Sequence, residues 1–328
     1  MIQTLSIYNT ECTDPYYNIA TERELLETVA PGCCILYLWQ NQNTVVIGRN
    51  QNAWAECRTS LLEQEGGHLA RRLSGGGAVF HDLGNLNFTF IMHREDYDLD
   101  RQLNVIETAC GYAGIPVERS GRNDLLANGH KFSGNAFYHA QGRAYHHGTL
   151  LVNADMNKLG RYLTPPKAKL EAMGVASVRS RVINLRELSP DLTCKRLGQL
   201  MEKAFGQVYG LTPQTLILSP AQLTRIDTYT KELSSWQWLY GPKLPFTMEC
   251  GARFPWGSIQ LQLQAESGCI TGVQVYSDAM QWQLAEQISG ALTGCKFHLQ
   301  SMMQALQNAK IDPEIRNDLC SLLEQQAV

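Results

Sequence analysis

The spacing of apolar and polar positions along this chain changes period several times, and each change marks an element. Asp14-Pro15 reads as a helix start, with a carboxylate to cap the first free N–H groups and proline pre-set for the first helical position. Ile19, Leu25, Leu26 and Val29 carry the apolar stripe to the Pro31-Gly32 break. Two β-type runs follow, 35–39 and 44–47, and the polar residues 40–43 between them predict a hairpin with a longer loop. Leu86, Phe88 and Phe90 alternate with Asn87 and Thr89, which predicts a strand with one buried face. Helical spacing returns over 104–113. Asn128-Gly129 is the strongest two-residue turn in the chain, joining 124–127 to 130–139, and Gln141-Gly142 turns the chain again into 143–152.

Three sequential antiparallel strands result, and the expected class is α+β. A βαβ nucleotide fold would need helices between successive strands. Pro165-Pro166 opens a short helical stretch ending at Gly174, the polar segment 175–181 follows, and helical patterning resumes over 193–209. Two prolines and a glycine mark 239–245 as a linker. Beyond it Ile259, Leu261, Leu263 and Ala265 alternate with glutamines, a turn at 266–268 leads to a partner strand through Val273 and Val275, and helices fill the remainder. The expected organisation is a large domain over 1–243, with a mixed or antiparallel sheet flanked by helices, and a small C-terminal α+β domain over 246–328.

Composition narrows the function classes. A formal net charge of only −3 argues against a nucleic-acid partner, because neutralising phosphates along a duplex needs a dominant basic face. The longest apolar run, Cys33 to Trp39, is too short to cross a bilayer. The N-terminus has neither a basic leader nor an apolar signal core, so a cytoplasmic protein without a membrane partner is expected. The ten cysteines are scattered without a Cys-x-x-Cys pair, which predicts reduced, mostly buried thiols.

Three segments carry candidate chemistry. In Arg71-Arg72-Leu73-Ser74-Gly75-Gly76-Gly77-Ala78-Val79-Phe80-His81-Asp82, three glycines remove every β-carbon, so backbone N–H groups can approach an anion, and two arginines add charge. The spacing fits neither the P-loop nor the dinucleotide fingerprint. Lys131 follows the Asn128-Gly129 turn in Lys131-Phe132-Ser133-Gly134. Alone it reads first as a solvated edge charge, and Asp124 by default as a turn or surface residue. In Tyr145-His146-His147-Gly148-Thr149, successive strand residues point to opposite faces, so at most one histidine enters a given site. No zinc spacing is present.

Together with Thr44-Val45-Val46-Ile47-Gly48-Arg49, Gly121-Arg122-Asn123-Asp124, Asn153-Ala154-Asp155 and Ser177-Val178-Arg179-Ser180-Arg181, these segments resemble the lipoate–protein ligase A family, from about residue 10 to 190 and more loosely beyond. The resemblance implies an ATP-dependent ligase that forms lipoyl-AMP and passes the lipoyl group to a lysine of an acceptor. Implied acceptors are the lipoyl domains of 2-oxoacid dehydrogenase complexes and the glycine cleavage H protein. It further implies lipoate and ATP with Mg²⁺, no tightly bound metal, and a monomer working in lipoate salvage.

By the same resemblance Lys131 is the catalytic residue, bridging carboxylate and α-phosphate. Arg72, Gly75, Gly76, Gly77, Ala78, Val79, Phe80, Asn85, Asp124, Ser133, His147, Thr149 and Arg181 bind ATP or lipoyl-AMP, Asp124 also being a candidate for Mg²⁺. Trp39, Arg72 and Lys131 line the lipoate pocket, with plain core packing the other reading of Trp39. Residues 175–181 would cover the adenylate. Two other readings use the same scaffold: an octanoyltransferase or lipoyl amidotransferase, which needs a nucleophilic cysteine, and a non-catalytic lipoate-binding protein.

Overall fold

The computed structural model describes residues 1–121, 124–163, 182–241 and 246–325. The helix opened by Pro165-Pro166, the segment 175–181 with Arg179 and Arg181, the pair Arg122-Asn123 and most of the 239–245 linker lie outside the described residues. The chain divides into two compact units. The first takes Met1–Val46, Trp54–Arg71 and Ala78–Leu239; the second takes Ile47–Ala53, Arg72–Gly77 and Tyr240–Val328.

The first unit begins with strand β1 (Thr4–Asn9) and helix α1 (Pro15–Thr28). Asp14 caps α1 by accepting from the Tyr16 and Tyr17 N–H groups, as the Asp-Pro pair requires. Then come β2 (Cys33–Trp39), β3 (Thr44–Ile47), the short helices α2 (Ala53–Glu56) and α3 (Thr59–Gln64), β4 (His68–Arg71), β5 (Val79–His81) and β6 (Asn85–His93). Helix α4 (Leu99–Tyr112) leads to β7 (Glu118–Ser120), β8 (Asp124–Ala127), β9 (His130–Ala140), β10 (Arg143–Leu151) and α5 (Met156–Tyr162). The unit closes with α6 (Cys194–Tyr209), β11 (Gln214–Thr215), α7 (Pro220–Leu233) and α8 (Trp236–Tyr240).

Eight strands form one sheet in the order β11-β1-β2-β6-β10-β9-β8-β7. β1 runs parallel to β2 and to β11, and the remaining pairs are antiparallel, so the sheet is mixed as expected. Both hairpin turns stand at positive φ at two successive residues, Asn128 and Gly129 at 50° and 74°, Gln141 and Gly142 at 50° and 74°. This is the backbone that matches strand twist across a two-residue loop.

The expected hairpin over 35–47 does not form. β2 lies in the eight-stranded sheet, whereas β3 pairs with β5 in a separate three-stranded sheet, β4-β3-β5. The intervening loop is held instead by Asn18, whose amide donates to Cys12 O, Gln40 O and Asn41 Oδ1. β6 departs from expectation too, because both of its faces are buried. On one face Leu36, Leu38, Leu86, Phe88, Phe90 and Met92 pack against Val105 and Ile106 of α4 and Met201 and Phe205 of α6. On the other, Ile35, Tyr37, Trp39, Ile91 and Tyr145 pack against Ile19, Leu25 and Leu26 of α1.

In the second unit β12 (Met248–Phe254), β13 (Gly257–Glu266) and β14 (Cys269–Ser277) make an antiparallel sheet, of which sequence patterning showed only the last two. Ile259, Leu261, Leu263 and Val275 face Ile288 and Leu292 of α9 (Leu284–Leu292), Met302 and Leu306 of α10 (Leu299–Gln307), and Ile315 and Leu319 of α11 (Pro313–Glu324). The two earlier pieces of chain join this unit through hydrogen bonds from Ser277 N to Asn50 O at 2.8 Å and from Gly76 N to Ala279 O at 3.1 Å. Among the described residues no helix is long and apolar enough to cross a membrane, and the ten cysteines are free thiols.

Candidate functional site

The face of the large sheet that lies under α1 is polar in the middle, because the Asn85–Asn87–Thr89 side of β6 points there. Cross-strand register sets its rows. Asn87 stands opposite Trp39 of β2 and Thr149 of β10, and Thr89 stands opposite Tyr37 and His147. A hydrogen-bonded chain runs through the second row. Trp39 Nε1 donates to Thr89 Oγ1 at 3.1 Å, and the Thr89 hydroxyl donates to Glu22 Oε1 at 2.8 Å. His147 Nδ1 lies 2.7 Å from the same carboxylate oxygen.

Glu22 was not among the residues singled out from sequence, although a signal was there. It is three residues after Ile19 and four before Leu26, inside the apolar stripe of α1, and an acid on that stripe points at the core. Glu22 is fully buried, and its Oε2 makes no hydrogen bond among the described residues. The same holds for Ser133 Oγ, Asn85 Oδ1 and Asn87 Nδ2, while Asn85 Nδ2 donates to Asn87 Oδ1 at 2.8 Å. A buried polar atom without a partner costs about 1–3 kcal/mol. Three of these, on Glu22, Asn85 and Asn87, gather beneath α1 and make this face a candidate for a polar ligand, whereas Ser133 pairs with Leu125 and so turns to the apolar side. Trp39 is both wall and core: 5% exposed, packed on Tyr37 at 5.8 Å between ring centroids, and pinned by its indole N–H.

His146 and His147 separate as the strand period demands. His146 faces the apolar side among Phe88, Phe90 and Phe137, its ring nitrogens 3.0 Å from Gln102 Oε1 and 2.8 Å from Asn135 Oδ1. Burial, with His147 nearby adding to it, pushes the His146 pKa down to about 3. The unfolded chain binds this proton near pH 6.5, and the folded chain resists it down to the lower value. Between them the unfolded state holds more protons, so stability falls with falling pH, by up to about 1.4 kcal/mol per unit. Urea midpoints measured from pH 7 to pH 4.5 should show that slope, flattened in His146→Phe; parallel slopes in the two proteins would refute it.

Lys131 reaches the polar face through an irregularity in β9. Leu125 pairs with Ser133 but Leu126 pairs with Lys131, so Phe132 is an extra residue, a β-bulge. Phe132 drops into the apolar core, fully buried, and the bulge brings Lys131 round to the side of Gly134 and Asp124. Lys131 Nζ lies 2.6 Å from Asp124 Oδ1. A β-carbon on Gly134 would sit 3.3 Å from Lys131 Cε and Nζ, so the lysine stem lies along a strand kept bare by glycine. Each partner is about a third exposed, 36% and 33%, where ion pairs contribute about 0–1 kcal/mol, so Asp124 orients the ammonium more than it stabilises the fold. Thr149 Oγ1 accepts from Gly134 N at 3.4 Å. Val182 bridges to Lys131, and Ile183 N–H donates to Lys131 O at 3.0 Å.

The glycine loop belongs to the second unit, and its residues have distinct tasks. Arg72 does not extend as a bare cation. Its guanidinium donates to Ser74 Oγ at 3.1 Å and to Gly75 O and Gly77 O at 2.8 Å each, drawing the loop's carbonyls inward. Arg71 is likewise engaged, donating to the Trp238 and Leu239 carbonyls at the end of α8. A β-carbon on Gly75 would sit 2.3 Å from Ala279 O, and Gly76 stands at φ +91° with its N–H already donating. Only at Gly77 would a β-carbon meet nothing, and 77–79 is the open part of the loop. Because Gly77 O points at Arg72, the trans peptide turns the Ala78 N–H the opposite way. The Phe80 ring packs on Tyr162 at 5.5 Å, leaving its backbone as the part that a ligand could meet.

No group of three or more His, Cys, Asp or Glu side chains suited to a metal occurs among the described residues. Asp124, the candidate for Mg²⁺, is a single carboxylate shared with an ammonium, and does not by itself fit a metal site.

Two family models match the chain: the lipoyl protein ligase A/B catalytic domain over residues 14–206, and the bacterial lipoate protein ligase C-terminus over 243–323. Lipoate-protein ligase A of Psychrobacter cryohalolentis is 41% identical over 301 residues, covering 89% of each protein. The solved structure of P. falciparum LipL1 in complex with lipoate superposes with a TM-score of 0.85 at 27% identity, covering 98% of this chain and 99% of that one. A structure of lipoate-protein ligase A bound with ATP shares the fold, with a TM-score of 0.64 at 22% identity over 74% of this chain and 99% of that one. The polar sheet face with its oriented ammonium thus sits in a chain that belongs to the lipoate–protein ligase A family.

Proposed function

We propose that this protein activates lipoate with ATP, forming lipoyl-AMP and pyrophosphate, and then transfers the lipoyl group to a lysine of an acceptor lipoyl domain. The observation that carries the reading is the Phe132 bulge, which lays the Lys131 ammonium on the buried polar face beside Gly134. A carboxylate attacking the α-phosphorus of ATP brings two anions together, and a fixed ammonium offsets the repulsion where charge develops. The carboxylate oxygen bonds to phosphorus as the bond to pyrophosphate breaks. In the second step the acceptor amine attacks the acyl carbon, Lys131 stabilises the tetrahedral oxyanion, AMP leaves and the amide remains.

Trp39, pinned by Thr89, is proposed to wall the acyl chain, and Asn85, His147 and Thr149 to line its polar end, with Ser133, paired with Leu125, meeting a ligand only through its backbone. The loop braced by Arg72 would offer phosphates the open backbone at Gly77, Ala78 and Val79. Mg²⁺ would enter with the nucleotide's phosphates, and Arg181 would close over the adenylate. The solved archaeal two-part ligase of Thermoplasma acidophilum with its E2 lipoyl domain supports an acceptor of that class.

An acyl-thioester transferase would need a reactive thiolate. Burial instead pushes the Cys57, Cys110 and Cys194 thiols up to about 12. Lipoate-dependent exchange of labelled pyrophosphate into ATP tests the proposal: exchange by the intact chain is expected. Absence of exchange, together with octanoyl transfer from a carrier protein, would overturn it in favour of the transferase.

A further inference from the structure

We propose that Asn87 is a specificity-determining residue that recognises the acid end of the acyl substrate, its Nδ2 donating to the carboxylate oxygen that Lys131 leaves free. The inference rests on the lipoate-activating reading above and adds to it a residue that the resemblance does not assign. Asn87 is 1% exposed, and Asn85 donates to its Oδ1 from the side, which holds the amide and leaves its NH₂ without a partner among the described residues.

Register gives that NH₂ its neighbours. The row through Asn87 continues to Thr149, then to Gly134 under the Lys131 stem, then to Asp124. Two strand intervals separate the Asn87 and Gly134 backbones, about 10 Å. An amide reaching from one end of that span and an ammonium lying over the other leave room for one carboxylate, each taking one oxygen. The next row along the strands, about 7 Å away, carries Thr89 and His147, both bonded to Glu22 of α1, whose carboxylate would repel an acid. The acid end therefore belongs in the Asn87 row and the uncharged chain beyond it. Once one oxygen has bonded to phosphorus, the other remains as the carbonyl of the adenylate, and the Asn87 N–H continues to donate to it.

The test compares wild type with Asn87→Leu, which removes both hydrogen-bonding groups at similar size, and Asn87→Asp, which keeps the Asn85 contact but turns the donor into an anion. Affinities for lipoate and for the alcohol made by reducing its carboxyl group are measured by calorimetry on the full-length protein, alongside pyrophosphate exchange. Loss of a hydrogen bond to a charged group predicts roughly 10- to 100-fold weaker lipoate binding in Asn87→Leu, and weaker still in Asn87→Asp. The KM for ATP should stay within about twofold and affinity for the alcohol within about threefold, since neither involves the missing bond to a carboxylate. Equal losses for acid and alcohol would reduce Asn87 to a packing residue, and unchanged lipoate affinity would remove it from the pocket; either result overturns the assignment. A wild type that neither binds lipoate nor catalyses exchange would overturn the underlying activity itself, an outcome distinct from both.

Discussion

Lys131→Ala is expected to lower lipoate-dependent pyrophosphate exchange by roughly 10²- to 10³-fold while barely changing thermal stability. The two parts of that expectation come from the same geometry. The ammonium is about a third exposed and paired with a carboxylate of similar exposure, so removing it leaves no deeply buried orphan. Its expected contribution to the reaction is larger, because in the proposed mechanism the charge is held where two anions meet. Gly134→Ala offers a milder version: its β-carbon would press on Lys131 Cε and Nζ at 3.3 Å and displace the ammonium by a few tenths of an ångström. An intermediate loss of exchange is expected there. Full exchange by Lys131→Ala would end the assignment of this lysine, whatever else the enzyme does.

Gly75→Ala should cost about 1–3 kcal/mol of stability and most of the exchange activity, whereas Gly77→Ala should fold normally. At Gly75 the added carbon would sit 2.3 Å from Ala279 O and 2.6 Å from Met280 O, both backbone atoms that cannot swing aside. The loop would have to retreat and break the Gly76 N–H bond to Ala279 O. At Gly77 the space is open, so any loss should appear as a raised KM for ATP rather than a lowered melting temperature. Thermal melting and exchange kinetics on both variants check the pair, and equal melting temperatures would show that the loop does not depend on this contact.

The sequence was legible where structure is made by neighbours in the chain. Asp14-Pro15, the Asn128-Gly129 and Gln141-Gly142 turns and the alternation over 259–265 each act within a few residues, and each element formed where expected. The class, α+β with a large mixed sheet, was legible from the order of those elements. Long-range choices were not. Residues 40–43 are compatible with a hairpin, and only the three hydrogen bonds from Asn18 and the pairing of β3 with β5 send the chain to another sheet. At the site, Lys131, Asp124 and His147 stood out through their motifs, but their partnerships did not. The alternation over 86–90 reads the same whether Asn87 and Thr89 face water or lie beneath a helix. The two arginines read as one cationic patch, although backbone carbonyls claim each of them separately.

The second unit is assembled from three separate stretches of chain, Ile47–Ala53, Arg72–Gly77 and Tyr240–Val328. No single cut, near residue 243 or elsewhere, can detach it whole. A fragment ending there would keep the glycine loop yet lose Ala279 and Ser277, whose backbone groups bond the 47–53 and 72–77 stretches. The carboxy-terminal quarter thus acts as a mould for a loop encoded some two hundred residues earlier. Splitting the gene at that point should yield halves that regain exchange activity only when mixed.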